Sequence, residues 1–234
     1  MENLGYITDC IFHRLNGVIE DKDQYTVIRT PSNPTYHWGN LLHFEKAPTG
    51  DCFEIWLEYF RHEFGEDGSH VTFAWDEEAK GEIDRFLSSG FEWDETIVLR
   101  LDEPKWDFQA NDQVKVRPIS TDAEWRAVID LQIKMSDQEN TPGFIEFKEK
   151  AFATMRNIQD RGHGSWWGAF MEDQLVADMG LFFDFDKKLG RFQSVETHSD
   201  YQNRGICKTL LKTVMSDAIE EKGIRDLVIV TESD

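Results

Sequence analysis

Positive charge is scarce in this sequence: 25 Lys and Arg stand against 45 Asp and Glu, a formal net charge of −20. Such a chain repels phosphate backbones and anionic bilayers, which argues against nucleic-acid and membrane partners. A cationic partner, such as an amine, is compatible with it. Cysteine is scarce too. Cys10, Cys52 and Cys207 are odd in number and far apart. That argues against a disulfide framework and predicts a reducing, cytoplasmic setting. No apolar run approaches the ~20 residues of a membrane helix. The opening MENLGYITDC lacks the basic and apolar regions of a signal peptide. Cys and His never fall at metal-ligand spacing, so no metal is expected.

What is present is a globular composition, 40% apolar with 17 Phe and 8 Trp in 234 residues. One stretch organises the rest. Phe192–Thr197 is short and rich in aromatic and β-branched residues, which predicts a strand. The residues from His198 to Gly205 are polar and end on glycine, which predicts a tight loop. From Ile206 the apolar residues recur at Leu210, Leu211, Val214, Met215, Ala218 and Ile219, the period of an amphipathic helix. A helix start carries N–H groups without intrahelical acceptors, and the macrodipole adds positive charge there. Lys187, Lys188, Arg191, Arg204, Lys208 and Lys212 surround it, against only Glu196 and Asp200. A basic island in an acidic chain suits a phosphorylated ligand.

The hexapeptide Gln202-Asn203-Arg204-Gly205-Ile206-Cys207 resembles the Gln/Arg-x-x-Gly-x-Gly/Ala motif of the GNAT superfamily of acetyl-CoA-dependent N-acyltransferases. The lead-in Val195-Glu196-Thr197-His198-Ser199-Asp200-Tyr201 is similar to the strand end that precedes it in that family. Cys207 replaces the last small residue, and Ser199 the usual proline.

The surrounding pattern agrees. From Val114 the predicted order is strand 114–117, helix 121–135, helix 144–158, strands 165–170, 175–183 and 192–197, helix 206–221 and strand 226–230. That is the GNAT order from its first strand to its fifth. The N-terminal half reads as strands 24–29 and 36–44, helix 51–64, strand 70–75, helix 77–87 and strand 96–101. It echoes the second half and resembles a degenerate GNAT. At Lys46–Cys52 a proline and an aspartate stand where free N–H groups would be wanted, and residues 1–101 carry −12. No anion site is expected there. The expected fold is α/β (α+β): a mixed sheet flanked by helices, GNAT-like, with a second partial GNAT-like half. The expected domains are 1–103, a connector at 104–112, and 113–234. The family pattern would continue past Asp234 with a helix and two strands. Either the chain is shortened, or those strands come from the N-terminal half or from a second copy in a homodimer.

The resemblance implies acetyl transfer from acetyl-CoA to a primary amine on a small molecule or a protein. The pyrophosphate would lie on the N–H groups of Asn203 to Lys208, with Gln202, Arg204, Gly205, Ile206 and Cys207 shaping the loop. The pantetheine arm would use main-chain groups of Val195 and Thr197. Attack requires a neutral amine and hence a base. Glu196 and His198 share a strand face and are the candidates. Trp38, Trp166, Trp167 and Phe183 are candidate walls of an acceptor site, or simply core. The alternative is an acyl-CoA-binding module without catalysis.

Overall fold

The computed structural model describes residues 3–65, 70–101, 104, 106–136 and 141–232. It divides into two units, Met1–Ile97 with Thr231–Asp234, and Val98–Val230.

The first unit opens with α1 (Leu4–Asn16), where the Asn3 side chain accepts from the Tyr6 N–H at 3.2 Å. The sequence reading has no helix here. Its buried face includes Thr8 and His13 beside Cys10 and Ile11, so the apolar period is broken. Strands β1 (Val18–Asp21), β2 (Thr26–Arg29) and β3 (Leu41–Phe44) follow, then α2 (Cys52–Phe64) and β4 (Phe73–Trp75). The sheet runs β1-β2-β3-β4. The first three strands are antiparallel, and β4 returns parallel to β3 across α2. α2 buries Phe53, Trp56 and Phe60, and the Trp56 ring stacks on Phe44 at 3.8 Å.

Two expected elements are corrected. The strand expected over 36–44 is confined to β3, with a 3-10 turn at His37–Gly39 before it. Asn40 holds that turn: its amide donates to the carbonyls of Asn33 (3.0 Å) and Tyr36 (2.9 Å) and accepts from the Thr30 N–H (3.0 Å). The helix expected over 77–87 shrinks to α3 (Asp84–Ser88). Gly81 interrupts it at φ +70°, where an added Cβ would sit 2.6 Å from the Pro48 carbonyl oxygen.

β5 (Thr96–Leu101) contains the division between the units. The expected connector at 104–112 therefore belongs, where described, to the second unit. That unit continues with β6 (Lys115–Pro118), α4 (Asp122–Met135), α5 (Pro142–Asp160), β7 (Gly164–Met171), β8 (Gln174–Asp184), β9 (Leu189–Thr197), α6 (Ile206–Ser216) and β10 (Asp226–Glu232). α6 passes directly into a π turn at Asp217–Glu221, so the helical run ends at the expected residue 221. α5 starts two residues before the expected position 144, with Thr141 as N-cap and Pro142 in the first turn.

The second sheet runs β5-β10-β9-β8-β7-β6. β6 to β9 are antiparallel, and β10 is parallel to β9 across α6. This repeats the order β2-β3-α2-β4, so both halves share one antiparallel-then-crossover plan. On one face Trp167, Met179, Leu181 and Phe192 bury against Ile206, Leu210 and Val214 of α6. Each such side chain contributes roughly 1.5–3 kcal/mol of transfer free energy. On the other, Trp166 meets Trp125 of α4 and Phe152 of α5, with ring centroids at 6.2 and 4.8 Å. β5 fills the sheet edge beyond β10, and Arg100 near its end pairs with Asp226 at 2.6 Å. No helix among the described residues is long and apolar enough to cross a membrane.

Candidate functional site

β9 is irregular where the site lies. Ala177 pairs with Thr197 and Asp178 with Glu196, but Gly180 pairs with Gln193, so Ser194 and Val195 together face Met179. This is a β-bulge, and Ser194 takes φ +43° to make it. Gln132 from α4 pins it. Its Nε2 donates to the Ser194 carbonyl at 2.9 Å and to Asp178 Oδ1 at 2.8 Å.

Asp178 is fully buried in β8. Its Oδ1 also accepts from Trp166 Nε1 at 2.9 Å, while Oδ2 has no partner. Burial pushes this carboxyl up to about 7, and the neighbouring Glu196 charge pushes the same way. Glu196 is half-buried opposite it, and its Oε1 accepts from the Thr197 N–H at 3.1 Å. Lys148 of α5 feels both carboxylates. Burial lowers its ammonium pKa, and Asp178 and Glu196 act against that.

His198 is buried and engaged at both ring nitrogens. Nδ1 accepts from the Asp200 N–H at 3.2 Å, and Nε2 lies 2.7 Å from Lys134 Nζ. The ring is held as part of the loop, with Tyr201 edge-on at 5.5 Å. Thr197 uses its carbonyl to accept from Gln202 Nε2 at 3.2 Å.

Past His198, Asn203 (φ +59°) and Gly205 (φ +73°) are both left-handed and flank Arg204. Gly205 is the N-cap of α6, and a Cβ there would point into open space. Among the described residues, the main-chain N–H groups of Asn203 to Lys208 have no acceptor. The first bond of the helix is Thr209 N–H to the Gly205 carbonyl, at 3.0 Å. The loop thus offers consecutive free donors beside the Arg204 and Lys208 charges, with a cradle that a side chain at 205 would fill. These residues fit a pyrophosphate. Cys207 is half-buried; burial raises its thiol pKa, and a hydrogen bond from Thr197 opposes that.

The chain ahead of β6 braces this loop. Asn111 gives its N–H to Thr209 Oγ1 at 2.8 Å and its Nδ2 to the Arg204 carbonyl at 2.9 Å. Phe108 receives Lys208 Nζ at 5.7 Å from its ring centroid and Lys212 Nζ at 5.9 Å. Alongside, β9 and β10 pair only over Leu189–Arg191 and Asp226–Val228 among the described residues, although β9 runs on to Thr197.

The matching loop of the first unit carries carboxylates instead. Glu77 Oε2 accepts from the Ala47 N–H at 2.9 Å, and a Cβ on Gly50 would lie 2.9 Å from Glu82 Oε2. The aromatic candidates separate. Trp166, Trp167 and Phe183 are core, while Trp38 is exposed in the first unit. Gln132, Lys134, Lys148 and Asp178 are absent from the sequence reading. Only Asp178 carried a signal, an acid inside the apolar run Leu175–Phe183. Among the described residues no cluster of three metal-ligating side chains occurs.

The model of the acetyltransferase (GNAT) family matches residues 131–234. No curated protein sequence matches the chain. A solved structure of a functionally unknown conserved protein from Staphylococcus epidermidis ATCC 12228 is similar over 94% of this chain and 85% of its own, at 12% identity and a TM-score of 0.73. The fold thus recurs at nearly full length. Two further structures are similar over 47% of this chain. One is the PaiA N-acetyltransferase of Thermoplasma acidophilum in complex with coenzyme A, with 18% identity, 74% of its length and a TM-score of 0.38. The other is the ribosomal-protein-S18-alanine N-acetyltransferase of Escherichia coli, with 14% identity, 62% of its length and a TM-score of 0.38.

Proposed function

From the premise that residues 131–234 carry a GNAT acetyltransferase domain, we propose that this protein transfers an acetyl group from acetyl-CoA to a primary amine, on a small molecule or a protein, in the cytoplasm. The observation that carries the reading is the run of free N–H groups from Asn203 to Lys208 around left-handed Gly205. Acetyl-CoA supplies an activated thioester carbonyl. Asn203 to Lys208 bind its pyrophosphate, with Arg204 and Lys208 adding charge. The gap between β9 and β10 takes the pantetheine arm beside Val195. Glu196 removes the amine proton at Oε2, directly or through one water, its Oε1 being held by Thr197. Asp178 and Gln132 position Glu196 by fixing the bulge. His198 shapes the loop.

A second reading, acyl-CoA binding without turnover, is favoured by one observation: the Thr197 N–H and carbonyl are both engaged within the protein. Calorimetric titration of acetyl-CoA into the wild type and into Gly205→Glu tests the first step. Micromolar binding, about −8 kcal/mol, lost in the variant supports the site. No binding to the wild type refutes both readings. Binding without amine-dependent thiol release across a panel of primary amines supports the second reading over the first.

A further inference from the structure

The first unit holds a cavity of about 500 Å³ that the acetyl-transfer reading does not use. Its walls are rings. Trp75 and Trp93 lie with centroids 5.1 Å apart and planes at 32°, and Phe73 and Phe91 stack at 5.8 Å. Trp38 completes the lining and is 42% exposed, Trp93 36%. Large rings left half in solvent around a concave space are unusual for a monomeric surface.

The charged side chains that line the cavity have one sign. Glu92 and Asp94 line the cavity on either side of Trp93, and neither has an ion-pair or hydrogen-bond partner among the described residues. No Lys or Arg lines it. One ring is already used as a cation seat: Lys80 Nζ lies over Trp93, 5.4 Å from its centroid. An indole face attracts an ammonium through its quadrupole, and the ring bodies bury an alkyl stem. The volume suits a small organic ligand.

We propose that this cavity binds an organic ammonium cation, with its charged nitrogen beside the half-exposed Trp38 and Trp93 rings and the Glu92 and Asp94 carboxylates, and its apolar stem against Phe73 and Phe91. The site is separate from the acyl-transfer loop and does not rest on it. Every residue invoked lies in the first unit.

The test uses the full chain, with binding read by tryptophan fluorescence and calorimetry. The probes are choline, n-butylammonium and 3,3-dimethylbutan-1-ol, which is the neutral isostere of choline. Saturable binding of either cation, at least ten-fold tighter than the neutral alcohol, is expected. Trp93→Ala should weaken it about ten-fold. Glu92→Gln with Asp94→Asn, which keeps every ring, should weaken it several-fold. Glu196→Gln should leave it unchanged. Equal affinity for the neutral isostere marks a merely apolar groove and overturns the proposal. So does cation binding that survives both first-unit variants, or that is lost only in Glu196→Gln. Absence of saturable binding by both cations overturns it as well.

Discussion

Asp178 and Glu196 stand directly opposite each other on β8 and β9, one fully buried and the other half-buried, just before the bulge at Ser194. Burial first, and the adjacent Glu196 charge after it, disfavour ionisation of Asp178. Its pKa is pushed from 3.8 to about 7. Between those values the folded protein holds a proton that the unfolded chain releases. Stability therefore falls as pH rises from about 4 to about 7, by on the order of a few kcal/mol. Asp178→Asn mimics the protonated form and should flatten that slope. Urea melts of both proteins at pH 4.5 and pH 8 read it directly, and parallel pH dependences would contradict a protonated Asp178.

Glu196→Gln keeps the Thr197 N–H contact but removes the base. On the acetyl-transfer reading, kcat with a productive amine should drop about 10²–10⁴-fold. Acetyl-CoA affinity should stay within about two-fold, because no pyrophosphate donor changes. A loss confined to KM for the amine would make Glu196 an acceptor-binding group instead.

Asn111 joins the chain ahead of β6 to the anion loop through its side chain. Asn111→Ala frees the Arg204 carbonyl while sparing the main-chain bond to Thr209. The expected cost is about 0.5–1.5 kcal/mol of stability. Acetyl-CoA binding should weaken several-fold. Thermal melts with and without acetyl-CoA separate the two effects.

The start of α4 is a capping box, with Thr121 accepting from the Glu124 N–H at 3.2 Å and Glu124 Oε2 accepting from the Thr121 N–H at 3.0 Å. Thr121→Ala should cost about 1 kcal/mol, and Thr121→Ser much less. The Arg117 guanidinium holds the Glu124 carboxyl down to about 2, helped by the Ser120 and Thr121 N–H groups. A depressed carboxyl stabilises above its ordinary value near 4.5 and loses that as pH falls toward 2. Glu124→Gln should therefore shorten the acid limb of the melting curve, in a window where Asp178 no longer contributes.

The sequence was most legible where period, punctuation and chemistry agreed. Strand 192–197, the Gly205 loop and the helix from Ile206 stand where expected, because an amphipathic period after a left-handed glycine admits few alternatives. Helix 77–87 failed because Gly81 answers to Pro48, a residue far away in sequence. α1 was missed because Thr8 and His13 are buried in it, against their usual preference. At the site, Glu196 was visible from its place in the lead-in. Gln132 and Lys148 were not, since each is a polar residue in the buried phase of its helix, in step with Val128 or Phe152, and acquires its role only when that helix packs on the sheet. Trp166 and Trp167 show the same limit. Adjacent on β7, they enter opposite cores, and composition alone cannot tell a core ring from a binding one.

β5 precedes the connector in the chain, yet it forms the outer edge of the second sheet, beside β10. A fragment cut to the family match, from residue 131, would lose both β5 and β6 and bare the main-chain groups on each flank of the sheet. Bare flanks recruit other copies, so such a piece should precipitate rather than fold cleanly. The smallest excisable piece that keeps its sheet whole begins at Thr96, and its ends are set by strand neighbours rather than by sequence likeness.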